Sequence, residues 1–202
     1  MIYLYSGTPG SGKSLRAVSE MLRYNCKGWP VVANFKLNPV SVRNPDRVLW
    51  MDNQNLTPEM LEQYAAYYWQ AEGGRVVEDR ILLVIDEAQL IFNSRDWRQN
   101  SPWISFFTQH RKFGYCIILI AQQREMIDKQ IRGVLEFEFK HRVLAHAGPF
   151  VAFLSLVVGT KFLYRKELAQ VRSVGKGMNL GFKFAYYGRR TFRAYDTFQT
   201  WG

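Results

Sequence analysis

The stretch YSGTPGSGKS, residues 5–14, contains the pattern Gly-x-x-x-x-Gly-Lys-Ser between Gly7 and Ser14. Glycine accepts positive φ angles and lets an oxygen-rich ligand approach the backbone. When such a loop joins a buried strand to a helix, its N–H groups and the helix dipole bind anions. Apolar residues 2–6 precede the loop, and apolar residues recur at helical spacing over 13–25. The stretch therefore predicts a phosphate-binding loop rather than a chance match in a surface turn.

The pattern also assigns roles within a site for ATP and Mg²⁺. Lys13 is expected to reach the β- and γ-phosphates, and the Ser14 hydroxyl is expected to bind Mg²⁺. The predicted nucleotide-binding residues follow one another in the chain: Gly7, Thr8, Pro9, Gly10, Ser11, Gly12, Lys13, Ser14 and Leu15.

A second acidic motif stands in ILLVIDEAQ, residues 81–89. The apolar run is typical of a parallel strand that is covered on both faces. Asp86 at its end is expected to hold Mg²⁺ through water, and Glu87 is expected to act as general base on the attacking water. The alternative is that both acids only favour the dipole of a following helix.

Strand and helix patterns alternate along the first 135 residues. Strands are predicted at 2–6, 31–35, 81–86 and 116–121, with a further candidate at 47–51; helices are predicted at 13–25, 57–72, 102–114 and 124–133. This alternation predicts an α/β fold, a P-loop NTPase with a mostly parallel central sheet. The room for an extra strand before Asp86, together with Glu87, favours the additional-strand, catalytic-glutamate type and hence ATP hydrolysis.

Two more polar residues flank the apolar strand 116–121. Gln122 follows it and would sense the γ-phosphate or orient water, or else is only a polar residue at a strand end. Arg111 precedes it and would reach a phosphate of the next subunit as an arginine finger, or else is a solvated cation at a helix end.

The charge changes along the chain, which has 202 residues and a formal net charge of +10. Residues 1–139 are nearly neutral, whereas residues 140–202 carry 11 Lys or Arg and two acids. Strands are predicted at 136–143, 161–166 and 181–188. A hairpin is predicted at Gly148-Pro149, because the apolar runs around it are shorter than a membrane-spanning helix requires. We therefore expect a core over 1–135 and a basic, β-rich extension over 136–202, which faces DNA, anionic lipid or only solvent.

Composition limits the class of protein. Hydrophobic residues make up 48% of the chain, which excludes a disordered chain. Cys26 and Cys116 lie far apart in the sequence, which indicates reduced thiols. The three histidines lack the spacing of metal ligands. The first residues, MIYLYSG, do not have the pattern of a signal peptide.

The motifs MIYLYSGTPGSGKS, ILLVIDEAQ and QHRKFGYCIILIAQQ, in this order, resemble the N-terminal ATPase domain of the zonula occludens toxin (Zot) family. The resemblance includes the gene I assembly proteins of filamentous phages and, more widely, the DNA-pumping ATPases of the FtsK/HerA group. It implies an ATPase ring on the cytoplasmic side of the host inner membrane that works with phage coat and assembly proteins and single-stranded phage DNA. It also implies a transmembrane helix after residue 202, with the basic segment near anionic lipid. Toxin activity is not implied, because it belongs to a later segment.

Two other functions remain open at this level. One is a nucleotide-gated module that binds DNA or membrane with little catalysis, against which Glu87 argues. The other is a small-molecule kinase, although no arginine-rich lid is evident and residues 136–202 read as strands.

Overall fold

The computed structural model describes residues 1–93, 100–143, 162–169 and 179–195. Their strands form one eight-stranded sheet in the order β3-β2-β4-β5-β1-β6-β7-β8. The pairs from β3 to β6 are parallel, and β7 and β8 are added antiparallel. The strands are β1 Ile2–Gly7, β2 Val31–Ala33, β3 Val48–Trp50, β4 Ile81–Ile85, β5 Tyr115–Ala121, β6 Phe137–Val143, β7 Phe162–Leu168 and β8 Asn179–Ala185.

Helices cover both faces of this sheet. They are α1 Lys13–Cys26, α2 Pro58–Ala71, α3 Ser101–Gln109, α4 Lys129–Val134 and α5 Arg189–Ala194. Apolar residues of α1 and α5 pack on one face, and those of α2, α3 and α4 pack on the other. Because β4 and β5 are buried on both faces, they read as unbroken apolar runs in the sequence. The predicted α/β P-loop fold with a mostly parallel sheet is confirmed.

The strand order positions the site. β5 lies between the loop strand β1 and the acidic strand β4. The inserted strand therefore comes from downstream of Asp86, and not from 31–35 or 47–51, which form β2 and β3 beyond β4. The carboxyl ends of β1, β4 and β5 meet at one edge because these strands run parallel. Ligands of open α/β sheets bind at this edge.

Two predicted helices differ from those observed, and one observed helix was not predicted. The helix predicted at 102–114 ends at Gln109, and turns lead from there to Gly114. The helix predicted at 124–133 is a 3₁₀ turn, Arg124–Met126, followed by α4. Its break has a local cause, since the Asp128 side chain caps α4 by accepting from the Gln130 N–H. The short helix α5 was not predicted.

Two predicted strands also differ. The strand expected over 31–35 ends at Ala33 because Asn34 turns its side chain to Asp86. The alternation in 136–143 predicted a half-exposed strand, but β6 lies between β1 and β7 and Glu138 is buried. The hairpin expected at Gly148-Pro149 lies outside the described residues. Within the described ranges, no helix has the length and apolar character needed to cross a membrane.

Candidate nucleotide site

The loop between β1 and α1 has the backbone that an anion site requires. β1 ends at Gly7 and α1 begins at Lys13. Gly10 and Gly12 have φ angles of 74° and 86°, in the left-handed region that favours glycine. A Cβ on Gly12 would also lie 2.7 Å from the ring of Phe162. Position 12 therefore requires glycine for two reasons, the positive φ angle and the lack of space for a Cβ beside Phe162.

Lys13 lies inside the loop. Its side chain is largely buried, and Nζ donates to the carbonyl oxygens of Gly7 at 2.8 Å and Thr8 at 3.1 Å. Burial lowers the pKa of the Lys13 ammonium, and the nearby Asp86 and Glu87 carboxylates oppose this shift. A phosphate chain in the loop offers this cation the charged oxygen partners that it lacks in its contacts with neutral carbonyls.

Ser14 and Asp86 meet as the spacing of their motifs predicts. The Ser14 hydroxyl donates to Oδ2 of Asp86 at 2.7 Å. Asp86 is 3% exposed, and burial raises the pKa of its carboxyl while the Ser14 hydrogen bond opposes that shift. Hard cations such as Mg²⁺ prefer oxygen ligands of this kind. The adjacent hydroxyl and carboxylate therefore fit a Mg²⁺ ion at the mouth of the loop.

Asn34 holds Asp86 in place and was not identified from the sequence. Asn34 Nδ2 donates to the Asp86 carbonyl oxygen at 2.9 Å, and its Oδ1 accepts from the Asp86 N–H at 2.8 Å. The same Nδ2 donates to Oδ1 of Asn53 at 2.8 Å. Its signal in the sequence is weak but present, since Asn34 is a polar residue that directly follows an apolar strand.

Glu87 has an unusual backbone conformation. Its φ of 49° and ψ of 45° place it in the left-handed region, which costs a residue with a Cβ about 1–2 kcal/mol. Its N–H donates to Oδ1 of Asp86 at 2.8 Å, and its carboxylate accepts from Nε2 of Gln89. Strained residues of this kind cluster at functional sites. The conformation turns the half-buried Glu87 away from the strand direction at the same edge as the loop.

Gln122 is joined directly to the loop. The Gly7 N–H donates to the Gln122 carbonyl oxygen at 3.2 Å. Gln122 and Thr8 line the same cavity, whose volume is about 640 Å³. The exposed side chain of Gln122 thus borders the loop, where a residue that responds to the γ-phosphate is expected.

A buried carboxylate supports this region from β6. Glu138 is 1% exposed; its Oε1 accepts from the Ser6 hydroxyl at 2.6 Å, and its Oε2 lies 3.4 Å from Nη1 of Arg124. Ser6 immediately precedes the loop, and Arg124 follows Gln122 by two residues. Glu138 therefore ties the loop strand to the segment after β5. It was missed because the alternation had placed it on an exposed face.

Arg111 is not brought to this edge. It precedes β5, so it lies at the amino ends of the parallel strands, opposite the loop. Its Nη2 lies 3.3 Å from Oε1 of Glu136, and its side chain is 55% exposed. Within one chain the site residues that meet are therefore Lys13, Ser14, Asp86, Glu87 and Gln122.

Comparisons with known proteins identify the family of the chain. The family model described as Zonular occludens toxin (Zot) matches residues 1–175. The Gene 1 protein of Enterobacteria phage fd is 28% identical over 223 residues, which cover 98% of this chain and 59% of that protein. The Gene 1 protein of Enterobacteria phage I2-2 is 33% identical over 144 residues, which cover 66% of this chain and 38% of that protein. The chain thus spans less than two thirds of the length of these relatives.

Two solved structures share the fold at low identity. The N-terminal domain of zonular occludens toxin from Neisseria meningitidis has a TM-score of 0.54 and 18% identity, with 96% of this chain and 98% of that chain covered. The genome packaging NTPase B204 from Sulfolobus turreted icosahedral virus 2, in complex with ATP-gammaS, has a TM-score of 0.55 and 14% identity, with 92% and 96% covered. The extent of the family match, over residues 1–175, shows that the chain belongs to the Zonular occludens toxin (Zot) family.

Proposed function

We propose that the chain is an ATPase that hydrolyses ATP to drive assembly of a filamentous phage and extrusion of its single-stranded DNA. The observation that carries the proposal is the pairing of Ser14 with Asp86 beside Lys13, with Glu87 next in the chain. A loop that only bound phosphate would need neither the acidic pair nor the strained backbone of Glu87. The placing of all four residues at one sheet edge supports hydrolysis over simple binding.

Each residue has a distinct task in this proposal. The loop N–H groups and Lys13 bind the phosphates and offset their charge. Mg²⁺, held by Ser14 and through water by Asp86, would neutralise charge on the β- and γ-phosphates. Glu87 accepts the proton of the attacking water, and Gln122 orients that water or responds to loss of the γ-phosphate.

The link to phage assembly is supported by the relatives. The Gene 1 proteins of phages fd and I2-2 match this chain, and B204 is named as a genome packaging NTPase. We propose that several copies form a ring at the host inner membrane, with this part on the cytoplasmic side, and that phage coat and assembly proteins are its partners. Arg111, exposed at the opposite edge, is available in this proposal to reach the nucleotide of a neighbouring copy.

We further propose that residues 136–202 act as a basic extension of the core 1–135. The pairing of β6 with β1 supports a close union of the two parts. Some of the cations there are already paired: Lys140 Nζ lies 3.0 Å from Oε2 of Glu167, and Arg165 also contacts Glu167. The exposed Arg142, Arg189 and Arg193 are the candidates for contact with DNA phosphates or anionic lipid.

The proposal is tested by substituting Glu87 and Lys13 separately. We expect Glu87→Gln to bind ATP with near-normal affinity and to lose hydrolysis by about 10²–10⁴-fold, the usual contribution of a positioned base. Lys13→Ala is expected to lose nucleotide binding as well. Binding is measured by calorimetry with a nonhydrolysable ATP analogue and Mg²⁺, and hydrolysis by phosphate release.

The matched control is Glu62→Gln, which removes an exposed carboxylate from α2, away from the loop edge. It should change neither binding nor hydrolysis. Hydrolysis at the normal rate in Glu87→Gln would leave a nucleotide-gated module as the better function. Normal hydrolysis in Lys13→Ala would remove the ATPase assignment.

A further inference from the structure

An aromatic side chain from the extension lies against the phosphate loop. Phe162 begins β7, and three atoms of its ring lie 2.7 to 3.0 Å from the position that a Cβ on Gly12 would take. Gly12 is the residue directly before α1, whose first turn contains Lys13 and Ser14. The ring is half-buried. A face of Phe162 therefore lies within contact distance of the backbone at the start of α1.

Tyr187, which follows β8, packs beside Phe162. The two ring centroids are 5.7 Å apart and the planes are inclined by 52°. The Tyr187 hydroxyl is buried and has no hydrogen-bond partner among the described residues. Burial raises the pKa of this hydroxyl, and the Arg16 guanidinium of α1 opposes the shift. The two rings thus form one packed aromatic surface, and Phe162 is its member in contact with the loop.

The other surroundings of the loop suit a purine less well. On one side lie the carboxylates of Asp86 and Glu87, which the proposed function assigns to Mg²⁺ and to the attacking water. On the other side is the cavity of about 640 Å³ that Gln122, Glu138 and Lys140 line. Within the described residues, no phenylalanine, tyrosine or tryptophan lines that cavity. Phe162, with Tyr187 behind it, accordingly offers an aromatic surface within contact distance of the residue before α1.

We propose that Phe162 and Tyr187 form the subsite for the nucleobase of a purine nucleotide whose phosphates occupy the loop. The base stacks on the Phe162 ring, and Tyr187 packs against that ring and supports it. The inference rests on the proposed nucleotide-binding function and extends it, since it assigns to β7 and the residue after β8 a part in substrate binding. Aromatic stacking tolerates different bases, so the subsite gives affinity more than discrimination between purines.

The test compares two ligands on the 202-residue chain: a nonhydrolysable ATP analogue and inorganic tripolyphosphate, each with Mg²⁺. Tripolyphosphate has no base, so it reports on the loop alone. Phe162→Leu keeps an apolar side chain against Gly12 but removes the ring. We expect it to weaken the ATP analogue about five- to tenfold, as loss of base stacking does, and to leave tripolyphosphate unchanged. Phe162→Trp should bind the analogue at least as well as the unsubstituted chain.

The matched control is Phe182→Leu. Phe182 pairs with Arg165, so it lies on the opposite face of the sheet from Phe162, and it is 60% exposed. This change should alter neither affinity. An equal loss of both ligands in Phe162→Leu would show that the ring only supports the loop, and no loss of the analogue would show that the base lies elsewhere; either result overturns the proposal. If the unsubstituted chain binds neither ligand, the proposed nucleotide-binding function is wrong, and the subsite is wrong with it.

Discussion

Among single residues, Asn34 makes the most specific contact with the candidate site. Its side-chain amide satisfies both the N–H and the carbonyl of Asp86, which are buried beside β4. A buried backbone group that loses its partner costs about 1–3 kcal/mol. The position of the Asp86 carboxylate relative to Ser14 therefore depends on an amide 52 residues away in the chain.

We predict that Asn34→Ala lowers the free energy of unfolding by about 1–3 kcal/mol and slows hydrolysis, because two buried backbone groups lose their partners. Urea unfolding monitored by circular dichroism measures the first effect. The control is Asn53→Ala, which removes the other contact of the Asn34 amide without touching Asp86. Equal losses in the two variants would contradict the role given to Asn34.

His141 is a buried titratable residue beside the loop. It is 2% exposed, its Nδ1 lies 2.9 Å from the Phe139 carbonyl oxygen, and its ring packs between those of Tyr5 and Tyr164. Burial lowers the pKa of His141 to about 3, and the Arg16 guanidinium acts in the same direction. The folded chain therefore keeps this imidazole neutral where an exposed histidine is charged.

The sign of the pH effect follows from this depressed pKa. Above about pH 6.5 the imidazole is neutral in both states; as the pH falls toward 3, only the unfolded chain takes up the proton, so stability is lost. We predict that the titration of His141 lowers the free energy of unfolding by about 2 kcal/mol when the pH falls from about 7.5 to about 5. Denaturant unfolding at both pH values should show a loss that is about 2 kcal/mol larger in the unsubstituted chain than in His141→Asn. His110, whose pKa is also lowered by burial, is present in both and cancels.

At the level of secondary structure, the turn before β5 depends on Gly114. Its φ is 80°, and an added Cβ would lie 2.5 Å from the Trp69 ring of α2 and 2.8 Å from the Val77 carbonyl oxygen. Nε1 of Trp69 donates to the neighbouring Phe113 carbonyl at 2.8 Å. The start of the central strand is thus packed against α2 through a residue without a side chain.

Gly114→Ala is expected to cost at least about 2 kcal/mol of stability, since it adds a backbone penalty to a steric overlap. Gly133→Ala serves as its control because this glycine lies in α4, has no atom within 4 Å of the added Cβ, and should gain about 0.5–1 kcal/mol. Thermal unfolding compares the two. A similar melting temperature for both variants would show that the turn can relax.

For the whole molecule, the net charge of +10 is the property that bears on its partners. If the chain contacts about four phosphates of single-stranded DNA, its affinity should fall about 50-fold between about 50 and 200 mM salt and should ignore base sequence. Fluorescence anisotropy with labelled oligonucleotides measures this. If anionic vesicles bind the chain and DNA does not, the positive charge serves to bind lipid. If neither binds, the positive charge serves solubility.

Patterns between residues close in the chain were enough to predict much of this molecule. Glycine conformations, the Thr57 cap of α2 and the apolar runs of β4 and β5 act locally, so the loop, the helix after it and the acidic strand could be read in order. Tertiary structure alone decided that β5 enters between β1 and β4, that Glu138 is buried, that Asn34 holds Asp86 and that Phe162 lies on Gly12. The physical reason is that strand order is selected by the burial of apolar surface and the pairing of polar groups among residues far apart in sequence, and no local pattern records which distant residues will meet.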